Sequence, residues 1–462
     1  MKKTFLFGAI MAMTFCACNA PSTQNEVFNP VLQVSGGQIQ GVANADSTVI
    51  IYKGVPFAAA PVGELRWKKP QPVTPWEGVK VADKFGDAAV QYVKDPNDGG
   101  YGTEFYPVNP PYSEDCLYLN VWAPEGVVGN ADAKLPVAMW IHGGGYGAGW
   151  GYEMTMDGEA WAKRGVILVT INYRLGMLGF LNHNLLTQEG GGHSGNYGLY
   201  DQIAALQWIH DNIAQFGGNP DNITVFGQSA GAGSVKNVVS SPLSKNMVKK
   251  AIVQSGGGIG GIRMQQTMTQ ADLDAPATNY LNKAGFDTLE KMRAAHPDSL
   301  SAVLPGWMSP DAIRFSPHTD SEVLPEDFND ATMHNSLADI PYMMGHCKDD
   351  MPGMEAGEQR FAEVRDSLST NPVYLYLFNR PLPTDGRKAL EGSFHSSELW
   401  YVFHTLDRSW RPFTAGDYQL SDEMVDAWTN FCKFGNPNGE KDGAWKPSTK
   451  EAPFVYEFKV KE

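Results

Sequence analysis

Apolar residues recur along the chain with two different periods, and together these lay out its elements. From Val31 to Ala58, short strand-like stretches alternate with glycine turns: Val-Leu-Gln-Val, then Gln-Ile-Gln-Gly-Val, then Thr-Val-Ile-Ile-Tyr. This pattern predicts an antiparallel lead-in. Leu117–Trp122, Leu135–Ile141 and Val166–Asn172 read as strands, and the third is continuously apolar, as a strand covered on both faces must be. Between Gly198 and Phe216 the spacing changes. Leu199, Ile203, Leu206, Ile209, Ile213 and Phe216 follow one another at three and four residues, which predicts an amphipathic helix. Further strands are expected at Ile223–Phe226, Lys250–Gln254, Tyr342–Gly345 and Val373–Phe378, with a closing helix over Asp422–Phe434 before a polar tail.

Alternating buried strands and helices predict an α/β fold, a central mostly parallel sheet with helices on both faces. Residues 59–113 are rich in Pro, Gly and aromatic residues without periodicity, so they read as an irregular surface layer suited to a pocket wall. Residues 256–340 read as helices and loops, an insertion on the lid side. No repeat or low-complexity linker interrupts residues 31–462, which are taken as one domain.

Composition and charge narrow the function. Hydrophobic residues make up 42% and charged residues 19%, a globular mixture. The formal charge is -15 with no long basic run, which excludes nucleic acid as a partner because phosphate binding needs a concentrated basic face. Residues 1–18 have the form of a targeting signal, with Lys2 and Lys3 before an apolar run too short to span a bilayer comfortably. The run ends Phe15-Cys16-Ala17-Cys18, which resembles a bacterial lipobox with Cys18 as the lipidated residue. Residues 19–30 then form a polar tether. The expectation is an exported protein of the cell envelope or periplasm, or secreted, whose only membrane contact is this anchor. Cys116, Cys347 and Cys432 are far apart and show no metal-site spacing, so at most one disulfide is expected among them and no zinc site.

Chemistry concentrates at Gly227-Gln228-Ser229-Ala230-Gly231, which follows a strand and leads into small residues that begin a helix. A serine on such a strand-to-helix turn has its hydroxyl exposed at a helix N-terminus, and the flanking glycines allow the close packing the turn needs. An activated serine needs a base, an acid to orient it and donors for an oxyanion. His142-Gly143-Gly144-Gly145 directly follows the strand ending at Ile141, so the N–H groups of Gly144, Gly145 and Ala230 are the candidate oxyanion hole. In the chain order Ser, acid, His, only His395 and His404 come late enough to be the base. His395 is expected on a loop, whereas His404 sits in an apolar run and reads as a packed core residue. Asp349 and Asp350 follow the strand at Tyr342 and supply two candidate acids. Gly256 to Gly261 also matches G-x-G-x-x-G, but no acidic residue follows at about the spacing a dinucleotide site requires.

Two longer segments carry a family resemblance. Phe216-Gly-Gly-Asn-Pro-Asp-Asn-Ile-Thr-Val-Phe-Gly-Gln-Ser-Ala-Gly231 and Glu114-Asp-Cys-Leu-Tyr-Leu-Asn-Val121 resemble the two signatures of the type-B carboxylesterases of the α/β-hydrolase fold. Asn172-Tyr-Arg-Leu-Gly176, Gly195-Asn-Tyr-Gly-Leu199 and the His395 segment extend the likeness over most of residues 31–440. The resemblance implies a serine esterase acting on small-molecule esters through an acyl-enzyme, with Ser229, His395 and Asp350 as triad and no cofactor or metal. It selects Asp350 over Asp349. It also implies structural ion pairs between Arg66 and Glu114 and between Arg174 and Asp201, and places Ser255 near the histidine. Cys116 falls on a family half-cystine, but Asp87–Tyr92 offers no partner, so that disulfide is expected to be absent. A non-enzymatic binding module and a serine peptidase on the same fold are the alternatives. Trp67, Trp76, Tyr101, Tyr146 and Trp150 are candidate aromatic residues at the site entrance.

Overall fold

The computed structural model describes Met1 and residues 29–260, 268–306 and 308–461, so the expected signal after Met1 and all but the end of the tether lie outside the described residues. Ten strands form the central sheet: β1 (Val42–Ala43), β2 (Val49–Pro56), β3 (Tyr118–Pro124), β4 (Leu135–Ile141), β5 (Ile167–Ile171), β6 (Gly218–Gln228), β7 (Lys250–Gln254), β8 (Tyr342–Cys347), β9 (Val373–Phe378) and β10 (Val455–Phe458). Their spatial order is β10-β9-β8-β7-β6-β4-β5-β3-β2-β1. From β10 to β5 every neighbouring pair is parallel, while β5–β3, β3–β2 and β2–β1 are antiparallel. A separate three-stranded sheet joins Leu32–Val34, Gly37–Gln40 and Val79–Val81.

The continuous apolar runs are explained by two cores, one on each face. Successive residues of a strand point to opposite faces. Val137, Met139 and Ile141 of β4 therefore enter one core with Val225 of β6 and Val253 of β7, while Ala138 and Trp140 enter the other with Phe226 and Ile252. Helix α1 (Tyr197–Asn212) packs on the first face beside α2 (Ala230–Ser240), and α3 (Ala415–Phe434) on the second. The segment 268–340 is helical in four short pieces separated by loops, starting with Gln270–Lys283.

Three expectations need correction. The closing helix begins at Ala415, seven residues before Asp422, because Thr414 and Asp417 form a capping box that satisfies its first turn. The tail contains β10, which adds an edge strand beside β9 through Val455–Phe458; only Phe458 of that stretch is fully buried, so its pattern reads as polar. His404 is also not a core residue: its side chain is 31% exposed and bonds Ser421 at 2.8 Å.

One buried ion pair clamps the irregular layer to the segment 400–411 that precedes α3. Glu104, on the short helix Tyr101–Phe105, accepts hydrogen bonds from Arg411 Nε and Nη2 and from Trp400 Nε1 at 2.7–3.0 Å. Both side chains are fully buried, and Arg411 also donates to the carbonyls of Pro383 and Leu390. Removing one partner strands the other charge away from water. Glu104→Gln is expected to lower unfolding free energy by about 3–5 kcal/mol in a urea titration, whereas a loss under about 1 kcal/mol would show that this pair does not hold the layer.

Candidate active site

Ser229 sits where β6 meets α2, with φ 58° and ψ -123°, in the left-handed half of φ/ψ space that side chains avoid. The pairing of β6 with β7 carries through it, since Ser229 N–H donates to the Gln254 carbonyl. A β-carbon on Gly231 would lie 2.0 Å from the Ile141 carbonyl oxygen, and one on Gly227 would lie 2.6 Å from the Gly231 backbone. Only glycine permits this approach, which presses the start of α2 against the end of β4.

The same contact brings the glycine run beside the serine. His142 is fully buried, stacks on the Tyr173 ring at 4.5 Å and bonds the Gly143 carbonyl through Nδ1, while Tyr173 O–H donates to the His142 carbonyl. Burial pushes its imidazole down to about 4, so it is neutral at physiological pH and serves as a packing group. Gly144 and Gly145 both adopt positive φ, 98° and 63°, and neither N–H has an acceptor among the described residues. Ala230 opens α2, so its N–H also has no partner within the helix.

His395 and Asp350 come together from separate loops. His395 Nδ1 donates to Asp350 Oδ1 at 2.8 Å; the Asp350 side chain is 1% exposed and that of His395 17%. Burial alone would raise the Asp350 carboxyl, but the hydrogen bond and charge of His395, with smaller contributions from Ser255 and the Met351 N–H, hold it below the usual carboxylate range. Ser255, at φ 51° directly after β7, faces this carboxylate without meeting full hydrogen-bond geometry. Asp349 does something different. Its Oδ2 accepts from Ser393 N–H at 2.8 Å and its own N–H donates to the Ser393 carbonyl, so it fastens the His395 loop to the end of β8.

Gln228 is a neighbour that sequence reading missed. Its amide nitrogen lies 3.2 Å from His395 Nε2, the nitrogen that faces away from Asp350, and no hydrogen bond joins Ser229 to His395. Deeper in, Glu398 is buried and raised by that burial; it accepts from Cys347 Sγ at 2.8 Å and from Gln254 Nε2 at 3.4 Å. Cys116, Cys347 and Cys432 are all buried and free.

Gly143, Gly144, Gln228, Ser229 and His395 border a cavity of about 350 Å³. Gly145 lies one step beyond its wall. Of the five aromatic candidates only Tyr101 lines it. Trp67, Tyr146 and Trp150 are buried in the core, and Trp76 packs on Gly36 and Gly37. The aromatic wall comes instead from Tyr92, Tyr101, Phe105 and Tyr106, in the layer without periodicity. The ion pairs Arg66–Glu114, at 2.5 Å, and Arg174–Asp201, at 2.7 Å, lie in scaffold positions, the second almost wholly buried. Among the described residues no group of three or more His, Cys, Asp or Glu is placed to hold a metal ion.

A serine on a strand-to-helix turn of this sheet defines the α/β-hydrolase class, and comparison with known proteins narrows it further. The profile of the Carboxylesterase family matches residues 29–361 and 354–462. The para-nitrobenzyl esterase of Bacillus subtilis (strain 168) is 32% identical over 470 residues, covering 87% of this chain and 90% of that one. The fumonisin B1 esterase of Sphingopyxis macrogoltabida is 31% identical, with 96% and 87% covered. Among solved structures, a thermophilic PNB esterase superposes with a TM-score of 0.78 at 28% identity, covering 93% of this chain and 96% of that one. A Geobacillus stearothermophilus carboxylesterase does so at 0.76 and 30%, with the same coverage. The chain belongs to the carboxylesterase family and is a carboxylic ester hydrolase.

Glu153 provides a pH test of the cavity. Burial pushes its carboxyl up to about 7, against the opposing effects of the Trp150 N–H, the Lys94 charge and the Tyr106 hydroxyl. The folded protein then binds this proton between about 4.5 and 7 while the unfolded chain has released it, so Glu153's contribution to stability falls as pH rises through that window. The stability difference between wild type and Glu153→Gln, from urea titrations at pH 5 and pH 8, is expected to shift against wild type at pH 8. A difference independent of pH would show that this carboxyl is not raised.

Proposed function

We propose that ester hydrolysis runs through an acyl-enzyme on Ser229, with His395 as general base and acid and Asp350 as the group that orients it. The observation that carries this reading is the arrangement itself: a strained, glycine-flanked serine and a histidine border one cavity, and that histidine is bonded to a buried carboxylate at 2.8 Å. His395 presents Nε2 to the cavity as an acceptor, because its proton sits on Nδ1 against Asp350. When the ester binds, the Gln228 amide yields this nitrogen to the Ser229 hydroxyl; such contacts commonly tighten only in the substrate complex.

Ser229 Oγ attacks the carbonyl carbon as its proton passes to Nε2. The carbonyl oxygen takes the negative charge, facing the N–H groups of Gly144, Gly145 and Ala230. Collapse of the tetrahedral species breaks the ester C–O bond, and the imidazolium returns the proton to the departing alcohol. Water, deprotonated by the same nitrogen, then attacks the acyl carbon and releases the acid with Ser229 restored. Asp350 stays ionised throughout, holding the tautomer and stabilising the imidazolium.

The two neighbouring aspartates separate this reading from its alternatives. Asp350→Asn removes the acceptor for Nδ1–H and should lower kcat by about 10³–10⁴-fold, whereas Asp349→Asn, which touches only the Ser393 backbone, should cost less than about tenfold. Steady-state kinetics on p-nitrophenyl butyrate decides it: equal losses would remove Asp350 from the role of orienting acid.

A further inference from the structure

Building on the reading of His395 as proton donor to the leaving group, the alcohol portion of the substrate must depart next to His395 Nε2, and so into the cavity this histidine borders. Much of that cavity is apolar, through Phe105, Met156 and Leu399. One part of the wall is not. Glu153, only 5% exposed, has a carboxyl whose Oε1 accepts from the Trp150 N–H at 3.2 Å and from Tyr106 O–H at 3.4 Å. Its Oε2 accepts nothing from the described residues, although Glu153 borders the cavity.

Oε2 has no donor among the described residues, and the cavity is the side from which one can arrive. Lys94 lines the same cavity, with Nζ 5.1 Å from the Tyr106 ring centre and donating to Tyr92 O–H at 2.8 Å. It makes no ion pair with Glu153 within 4.0 Å, so the ammonium still has protons to offer. Acceptor and donor thus face one space beside flat aromatic side chains. A neutral hydroxyl satisfies both at once. An anionic alcohol would be opposed by Glu153 and a cationic one by Lys94.

We propose that Glu153 and Lys94 recognise a hydroxyl group carried by the alcohol portion of the ester, so that the preferred substrates are esters of aromatic alcohols bearing a second, phenolic hydroxyl. Glu153 Oε2 accepts from that hydroxyl, Lys94 Nζ donates to its oxygen, and Tyr101 and Phe105 flank the ring. Neither residue takes part in bond making; both set which alcohol is held at His395.

The test compares kcat/KM for 2-phenylethyl acetate with that for its 3-hydroxyphenyl and 4-hydroxyphenyl counterparts. The ring hydroxyl is too remote to change the leaving group's acidity, so the ratio reports recognition alone. At pH 8, where Glu153 is ionised, wild type should favour at least one hydroxylated ester by about tenfold or more, the effect of one hydrogen bond to a charged group. Glu153→Leu should bring the ratio to within about twofold of unity, and Lys94→Met should reduce it in part. Equal rates for all three esters in wild type, or a preference that survives Glu153→Leu, would overturn the proposal. If Glu153→Leu does not fold, as judged by its thermal melt, Glu153→Gln decides: a ratio reduced at least threefold supports the assignment and an unchanged ratio refutes it. Turnover of the plain ester without discrimination sinks the recognition site alone. Absence of turnover on every ester, with Ser229 unlabelled by a phosphonate, sinks the nucleophile reading and this one with it.

Discussion

The close contact between the start of α2 and the end of β4 sets Ser229 and the glycine turn beside it. Gly231 lies so near the Ile141 carbonyl that a single added methyl would occupy the same space, and Gly227 is held as tightly against Gly231. The compression does two things. It forces Ser229 into a backbone conformation that costs of order 1–3 kcal/mol and that the surrounding sheet must over-determine. It also sets the His142–Gly145 turn beside the serine, because the residues Gly231 presses on are the ones that lead into that turn. The proposed nucleophile and oxyanion donors are therefore positioned by one packing event rather than by two independent loops.

Placement of the proposed base depends on longer-range interactions. His395 comes from a loop after β9, Asp350 from the end of β8, and the two loops are fastened by the Asp349–Ser393 hydrogen bonds. Burial opposes ionisation of Asp350, Glu398 and Glu153; for Asp350 the histidine partner outweighs it, while Glu398 and Glu153 are raised. The layer that walls the cavity is tied down separately, through Glu104 and Arg411.

How much of this was readable from the sequence follows from the range of the interactions. The serine turn is local: strand, glycine, serine, glycine and helix lie within about a dozen residues, and the buried strands announce themselves by composition. The expected strands at Leu135–Ile141, Lys250–Gln254 and Val373–Phe378 have those bounds in the structure. Features set by tertiary contacts were hidden. β10 is an edge strand with mostly exposed side chains, and nothing local marks it. Trp67, Tyr146 and Trp150 look like entrance residues by type, yet each fills core, while Tyr92, Phe105 and Tyr106 reach the cavity from a segment with no period to read. Gln228 and Glu153 are ordinary polar residues until the fold sets one beside His395 and the other against Gly149 and Trp150 at the cavity wall.

The central claim, that Ser229 is the nucleophile, is tested most directly by covalent trapping. The protein is treated with a fluorophosphonate until esterase activity is lost, then digested and its peptides mapped by mass spectrometry. The account predicts one phosphonyl group per chain, on Ser229, with incorporation that parallels the loss of activity. Complete inactivation with the adduct on another residue, or full activity retained with Ser229 fully modified, would contradict it.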